Sequence, residues 1–408
     1  MAGREGKKQA RKAGTGRRLL VGVGASAGAL LAAAAMATGS AVTAAPAHAD
    51  FEDLLDPIIQ PLLSSFTDAV SAVDPAAALD ITSWTDSLLS SLGSFDLALP
   101  STDSALAAAA TAAEPAASTA PYDLPLTVME GTEPTVNAAI DGSSTSVPLL
   151  VDTGSSGLVI PSTDLGSNFV SQLEALYSLG FPTGISESGY SGGVDYIYLT
   201  YNDVPVTYAD GLTTNGPVDI EVYSWDPSNF GSLFTNDAFQ NFLSGNDVNG
   251  ILGIGENTAG PGTSPFESLG NVTVDIPGKE LIVGGEPVTG TSLSGAPIST
   301  DYISIDGGPL QAVSNDVDSG GVTGTIPASL LTSSEYNSST DLVNPGTTIA
   351  VYADKAGTEE LYHYTVTAAN DPFVVSGSTM DSGVEPFLLG PISMEYTPVG
   401  TGTTIFGG

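Results

Sequence analysis

The sequence predicts a mainly β protein with two lobes, preceded by a short helical segment. Three observations support this prediction. Short β-type runs fill the chain after Pro121, two similar aspartate-containing loops lie far apart within that region, and an apolar stripe with helical spacing precedes it. With 408 residues and 41% hydrophobic content, the chain can bury a core in each lobe.

Residues 1–49 have the pattern of a secretory signal peptide. Seven of the nine lysines and arginines lie at this end, an apolar Ala/Gly/Leu run follows them, and Ala47-His48-Ala49 forms an A-x-A cleavage site. We expect cleavage near Ala49 and a protein that is secreted or held at the cell envelope. An uncleaved membrane anchor is the alternative, and Sec and Tat export both fit the basic head.

The charge of the remaining chain is strongly negative. Cleavage leaves 45 of the 46 acidic residues, no arginine and two lysines, Lys279 and Lys355, a formal charge near −43. Such a surface repels nucleic acid and anionic membranes, so neither is an expected partner. Because self-repulsion relaxes as carboxyl groups protonate, the composition favours an acid-tolerant protein.

Several classes of chemistry are excluded by composition. The chain has no cysteine, and the one histidine after the leader is His363, which lies in a β-type run. Disulfides, thiol catalysis and multi-histidine zinc sites are therefore ruled out, and no nucleophile-elbow sequence accompanies His363. Carboxyl groups remain as the catalytic side chains, and we expect neither a metal nor a cofactor.

Two segments precede the β region. Residues 50–100 carry an apolar stripe at spacings of three and four, which predicts helices, and Pro57 and Pro61 within it predict that they are broken or kinked. Residues 101–120 have the Ala/Ser/Thr/Pro composition of a linker. The main domain boundary is placed there.

The region after Pro121 reads as strands. The segment 218–222 alternates polar and apolar residues with period two, and the apolar segment 280–283 ends in Gly284-Gly285. Few helical stripes appear among these runs. The 121–408 region is therefore predicted to be mostly β.

Two segments, 147–161 and 317–327, share one pattern: an apolar strand, Asp-Thr/Ser-Gly, further apolar residues and Ile-Pro. The strand delivers a carboxyl group to a buried turn, the glycine allows close backbone approach, and the hydroxyl braces the turn. Two such loops face to face bring two carboxyl groups together. Both cannot ionise easily, so one acts as an acid while the other activates water. The residues concerned are Asp152, Thr153 and Gly154 in the first loop and Asp318, Ser319 and Gly320 in the second.

A third Asp-Ser-Gly occurs at 381–383. It follows Ser-Thr-Met rather than an apolar strand. In a chain this rich in these residue types, about one such triplet arises by chance, so we expect Asp381 to be a coincidence of composition.

The chain resembles pepsin-like aspartic proteases, because further motifs occur in the family's order. The segments 249–255 and 387–390 resemble the apolar-apolar-Gly segments behind the first and second catalytic loops. The strand 280–285 resembles the one that closes the first lobe, and Tyr190-Ser-Gly-Gly193 resembles the flap tip. The resemblance implies a bilobal pepsin-like aspartic protease fold with an N-terminal lobe at 121–292 and a C-terminal lobe at 293–408.

The resemblance also implies roles for individual residues. Asp152 and Asp318 would be catalytic, the hydroxyl and glycine residues beside them would brace the loops, and Tyr190 would cover the substrate. Ser155 would donate a hydrogen bond to Asp152, whereas Gly321 offers Asp318 no such donor, so Asp318 is expected to hold the shared proton. The tryptophan that usually follows the first loop is missing, which leaves open how the flap tyrosine is held.

Within that family the sequence is similar to mycobacterial PE_PGRS-type aspartic proteases. The likeness lies in the segments 318–327, 385–391 and 402–407. It implies a cell-envelope protease that processes secreted surface proteins, with self-cleavage as a further expectation. The leading hypothesis is a monomeric endopeptidase that acts on proteins or peptides. The alternatives are a pepsin-fold surface binding protein without catalysis and a glycosidase with a carboxyl pair.

Overall fold

The computed structural model describes residues 21–22, 121–143, 145–191, 194–226, 228–229, 232, 237–398 and 400–408. The predicted helical segment 50–100 and linker 101–120 lie outside these residues, as does the signal peptide apart from Val21 and Gly22. No helix in the described part of the chain is long and apolar enough to cross a bilayer.

The described chain is mainly β, as predicted. Its strands are β1 (Val21–Gly22), β2 (Tyr122–Pro125), β3 (Thr127–Met129), β4 (Glu133–Ile140), β5 (Val147–Asp152), β6 (Ser156–Pro161), β7 (Gly184–Ser191), β8 (Val194–Tyr201), β9 (Val206–Tyr208), β10 (Thr213–Thr214), β11 (Val218–Trp225), β12 (Gly250–Ile254), β13 (Val272–Asp275), β14 (Glu280–Val283), β15 (Gly290–Ser294), β16 (Ile298–Ile305), β17 (Gln311–Asp316), β18 (Thr325–Pro327), β19 (Tyr336–Asn337), β20 (Leu342–Val343), β21 (Thr348–Tyr352), β22 (Glu360–Thr365), β23 (Phe373–Val375), β24 (Thr379–Asp381), β25 (Ile392–Glu395) and β26 (Thr403–Gly407). The helices are α1 (Phe169–Ser178), α2 (Ala238–Ser244) and α3 (Glu385–Leu389).

The first sheet carries the first aspartate loop. Its strands follow the order β1-β7-β8-β11-β6-β12-β5-β4-β9-β10, with β3 paired to β4. Strands β5 and β6 flank the loop, and β12 lies between them, parallel to β5 and antiparallel to β6. All residues of β6 and β12 are buried, because both strands are central in the sheet and covered on both faces.

A nine-stranded sheet repeats this arrangement around the second aspartate loop. Its order is β19-β20-β23-β18-β24-β17-β16-β21-β22. Here β24 takes the central position, parallel to β17 and antiparallel to β18. The two sheets thus present their aspartate loops from equivalent strand ends.

A six-stranded sheet joins the two halves, in the order β15-β26-β25-β13-β14-β2. It combines strands that precede the second loop in sequence with the last two strands of the chain. The predicted strand at 280–283 is confirmed as β14, which pairs with β2 and β13. The fold is therefore bilobal and β, with the two aspartate loops between the lobes.

Candidate active site

The two aspartate loops meet through a reciprocal set of hydrogen bonds. The Thr153 hydroxyl accepts from the Ser319 N–H at 2.8 Å and donates to the Val317 carbonyl at 2.6 Å. The Ser319 hydroxyl accepts from the Thr153 N–H at 3.1 Å and donates to the Val151 carbonyl at 2.7 Å. Because both hydroxyls are fully buried, this exchange ties each loop to the opposite strand.

Asp152 and Asp318 lie in hydrogen-bonding contact at the centre of this exchange. The Gly154 N–H donates to Asp152 Oδ1 at 2.9 Å and to Asp318 Oδ1 at 3.1 Å, and the Gly320 N–H donates to Asp318 Oδ1 at 2.8 Å. The glycines permit this approach, since a Cβ at 154 would lie 2.7 Å from Asp318 Oδ1 and a Cβ at 320 would lie 2.8 Å from Asp152 Oδ1.

The outer oxygens of the two carboxyl groups have different surroundings. The Ser155 hydroxyl donates to Asp152 Oδ2 at 2.6 Å. Among the described residues, no N–H or O–H group donates to Asp318 Oδ2, which is buried. Thr323 follows in the second loop and carries a hydroxyl, but it does not donate to this oxygen in the described chain.

Burial raises the pKa of Asp152, and the hydrogen bonds from Asp318, Ser155 and Gly154 oppose that rise. The pKa of Asp318 is raised well above its ordinary value by burial first and then by the negative charges of Asp152, Asp381 and Asp316. Burial disfavours the ionised form of both groups, but within the described chain only Asp152 has a side-chain hydroxyl donor, from Ser155, in addition to backbone donors that oppose it, so Asp152 ionises more readily and Asp318 keeps the proton.

The supporting segment behind the first loop lies where the sequence placed it. Strand β12 runs parallel to β5, with Gly253 opposite Asp152. A side chain at 253 would collide with the backbone of Ser156 and Gly157, so only glycine fits beside the loop.

The prediction for the second supporting segment was wrong. Residues 387–390 belong to α3 and its end, where Pro386 near the helix N-terminus favours helix over strand and Leu388 and Leu389 are exposed. The segment behind the second loop is instead β24, continued by Ser382 and Gly383. The Ser382 hydroxyl accepts from the Asp318 N–H at 3.0 Å.

Asp381 is consequently part of the site, and its interpretation as a coincidence was also wrong. It is buried, and its Oδ2 and Cγ would lie 2.8 and 2.9 Å from a Cβ added at Gly321. Asp316, which precedes the second loop, is buried beside it and was missed entirely. An internal repeat in the sequence could have revealed the position of Asp381. When 380–383 is aligned with 250–253, Asp381 falls in the segment behind the second loop.

Tyr190 lies at the end of β7, in the β7/β8 hairpin beside the site; Gly192 and Gly193 of the predicted flap tip lie outside the described residues. Its ring stacks on those of Tyr196 at 5.6 Å and Phe242 at 5.9 Å between centroids. Burial, with Tyr196 and Asp152, raises the pKa of its hydroxyl well above the ordinary value. The contacts of this aromatic cluster hold the Tyr190 ring in place, although the tryptophan that usually follows the first loop is missing.

Other chemistry finds little support in the described chain. No group of three or more His, Asp or Glu side chains there is arranged to hold a metal ion. His363 lies on β22, as predicted, with 71% of its side chain exposed and Glu360 as its contact at 2.6 Å.

Comparison with known proteins agrees with this geometry. The family described as PE-PGRS C-terminal aspartyl peptidase-like domain matches residues 122–404. PE cleavage protein A of Mycobacterium tuberculosis is 36% identical over 309 residues, covering 69% of this chain and 51% of that protein. PE cleavage protein A of Mycobacterium marinum is 38% identical over 302 residues, covering 69% and 52%. The chain thus spans about half the length of the curated relatives it matches, and the resemblance to PE_PGRS-type proteases is confirmed.

Proposed function

The chain belongs to the family of PE-PGRS C-terminal aspartyl peptidase-like domains, and on that premise we propose that it is an aspartic endopeptidase whose catalytic residues are Asp152 and Asp318. One observation carries the proposal. Two buried carboxyl groups from equivalent loops contact each other and accept from the same Gly154 N–H. Such a pair holds one proton between two groups at acid pH, as acid and base catalysis of hydrolysis requires.

The asymmetry of the pair assigns the two roles. Asp152, whose ionised form is favoured by Ser155, takes a proton from water as the water oxygen attacks the peptide carbonyl carbon. Asp318 gives its proton to the carbonyl oxygen, which produces a tetrahedral diol. Asp152 then transfers its proton to the amide nitrogen while Asp318 takes a proton back from one hydroxyl of the diol. The C–N bond breaks, an amine and a carboxylic acid are released, and the pair returns to its starting protonation state.

The surroundings of the pair supply positioning. The Thr153 and Ser319 hydroxyls fix the loops, and the backbone N–H groups of Gly154 and Gly320 fix the inner oxygens. Tyr190 packs beside the site in the β7/β8 hairpin, and its buried stacking on Tyr196 and Phe242 fixes its ring near Asp152. No metal or cofactor takes part.

The substrates are proteins outside the cytoplasm. The matching relatives are named for cleavage of PE proteins, and we extend that substrate class to this chain, together with self-cleavage in the 101–120 linker. The leader at 1–49 would direct the protein to the envelope or beyond it, and the enzyme acts as a monomer.

Inhibition by pepstatin tests this proposal. Purified full chain should cleave a peptide library at acid pH, pepstatin should abolish the cleavage, and a metal chelator should leave it unchanged. A folded protein that binds pepstatin or peptides without cleaving them would be the inactive binding protein instead. Cleavage that ignores pepstatin, or action on glycosides alone, would reject the proposal.

A further inference from the structure

The two lobes differ in one row of side chains behind their loops. In the first sheet, Leu150, Ile251 and Val159 are neighbours in register on β5, β12 and β6, and all three are fully buried. The corresponding residues of the second sheet are Asp316, Asp381 and Thr325, in register on β17, β24 and β18. They occupy the same positions relative to the catalytic aspartate and the supporting segment. An apolar row is therefore replaced by two carboxyl groups and a hydroxyl.

Residues in register on adjacent strands point to the same face of the sheet about 4.8 Å apart, so Asp316 and Asp381 are side-by-side carboxyl groups. Asp316 is 5% exposed and Asp381 is 3% exposed. Within the described chain, Asp316 Oδ1 and Asp381 Oδ2 are buried without a hydrogen-bond partner, while the Gly383 N–H donates to Asp381 Oδ1 at 2.8 Å.

Two buried carboxylates side by side require neutralisation, and the described part of the chain offers them no basic residue. Burial, followed by the charge of Asp381, raises the pKa of Asp316 well above its ordinary value, and burial raises that of Asp381. Asp301 shows the contrast: Ser299 and Asn315 donate to its two oxygens at 2.6 and 2.7 Å, so neutral side chains satisfy it.

We propose that Asp316 and Asp381 form a second, non-catalytic carboxyl pair that shares a proton behind the second loop and positions Asp318. The shared proton supplies the hydrogen bond that both unpartnered oxygens lack. The pair takes the place of an apolar contact that needs no proton, so it makes the second half of the site dependent on acid conditions.

The pair reaches Asp318 through the backbone and through space. The Ser382 N–H donates to the Asp316 carbonyl at 2.9 Å, and the Ser382 hydroxyl accepts from the Asp318 N–H at 3.0 Å. The Asp381 carboxyl group packs against Gly321 and fills the space that a side chain at position 321 would occupy. Ionisation of both carboxyl groups would therefore push β17 and β24 apart directly beneath Asp318.

Other titratable groups also face the pair and its surroundings. They come from the catalytic loops, from β16, from β22 and from α3, and they are Asp152, Asp318, Asp301, Tyr362, Tyr364 and Glu385. None of them is basic. The aspartate and glutamate groups add to the cost of ionising the pair, whereas the hydroxyls of Tyr362 and Tyr364 stay protonated and neutral because burial raises their pKa.

Amide variants of the full chain test the pair. Asp316→Asn and Asp381→Asn replace a carboxyl group with an amide that donates to the remaining carboxylate and needs no shared proton. In the unaltered protein, the melting temperature should fall between about pH 4 and about pH 7. In each variant this fall should be smaller by about 4 °C or more. Asp203→Asn, at an exposed turn, removes one charge elsewhere and should not do so. An equal response in all three variants would overturn the pair.

A kinetic readout separates positioning from simple stabilisation, and it alone depends on the proposed peptidase function. The proton-sharing pair and each amide variant carry one negative charge, so the acidic limb of the kcat/KM profile should stay in place. At higher pH only the unaltered pair gains a second negative charge, which raises the pKa of Asp318, so in the variants the basic limb should move to lower pH while the stability at high pH improves. Loss of activity only on substrates with basic side chains, with unchanged pH limbs, would make the pair a binding subsite and overturn the proposal.

Neutron crystallography of the unaltered protein at about pH 5 gives a test that needs no variant. A deuteron between Asp316 and Asp381 is expected. Two deuterium-free carboxylates, or a bound cation there, would overturn the pair even if the enzyme proved to be an active peptidase.

Discussion

At the scale of single residues, the two aspartates of the proposed catalytic pair differ by one hydroxyl. Asp152 has the Ser155 donor on its outer oxygen, and Asp318 has none in the described chain. The sequence predicted this difference from Ser155 and Gly321. It did not predict that Asp381 occupies the space beside Gly321, because that contact joins two segments 60 residues apart.

Removing the Ser155 hydroxyl should raise the acidic limb of kcat/KM. Without that donor the ionised form of Asp152 is less stable, so the pKa of Asp152 rises and the lower limb moves up by about 1 pH unit. The pH profile of Ser155→Ala measures it, with Ser338→Ala at an exposed position as control. A lower limb that stays in place in Ser155→Ala would contradict the asymmetry.

Adding a side chain at Gly321 should destabilise the protein by collision with Asp381. Gly321→Ala should cost about 1–3 kcal/mol. In a double-mutant cycle, most of that cost should disappear when Asp381→Ala is also present, because the methyl group then has room. Urea unfolding of the unaltered protein, the two single variants and the double variant measures the coupling. Strictly additive losses in the free energy of unfolding would show that the two side chains do not contact each other.

At the scale of elements, the hydrogen bonds between the loops hold the lobes in register. Thr153→Val keeps the shape but leaves the Ser319 N–H and the Val317 carbonyl without their partner. We expect a loss of about 2–4 kcal/mol in the free energy of unfolding, measured in urea. Thr153→Ser keeps the hydroxyl and should lose far less. Equal losses in the two variants would mean that packing of the methyl group, and not the hydroxyl, carries the effect.

The sequence predicted elements where local pattern and tertiary role coincide. The two loops, β11, β12 and β14 carry apolar strand patterns and lie where expected. It failed at β24, whose Thr-Met-Asp sequence has no such pattern, and at α3, whose Phe-Leu-Leu run suggested a buried strand. At β24 the pairing with β17 and β18 decides the structure, and those contacts are not local. At α3 the local signal was Pro386 near the helix N-terminus, which favours helix over strand.

At the scale of the whole molecule, the excess of carboxyl groups makes stability depend on pH. Burial raises the pKa of Asp219 to about 6 and that of Glu221 to about 7. Groups with a raised folded-state pKa contribute stability that is complete below their unfolded pKa values, 3.8 and 4.5, and is lost as pH rises through 6 to 7.

The melting temperature should therefore fall between about pH 4 and about pH 8. Glu221→Gln should reduce that fall, because the amide carries no charge and Gln240, which donates to Glu221 at 2.9 Å, keeps an acceptor. Melting curves followed by circular dichroism across this range test it. A melting temperature that rises toward neutral pH would show that other groups dominate.

The mainly β character was predictable from the strand patterns, and the two lobes were implied by the resemblance to pepsin-like proteases, which rests on the repeated loop. The six-stranded sheet that joins them was not predictable, because three of its five strand pairs, β13 with β25, β14 with β2 and β15 with β26, link strands more than 100 residues apart. The bounds of the lobes, the leader and the linker stay predictions.

The central claim is that Asp152 and Asp318 together hydrolyse peptide bonds, and the activity of their amide variants tests it most directly. In the purified full chain, Asp152→Asn and Asp318→Asn should each lower kcat/KM by about 10³-fold or more while melting temperature is retained, because the pair needs both members. Asp203→Asn should keep full activity. A folded Asp152→Asn or Asp318→Asn that retains more than about a tenth of the activity would contradict the account.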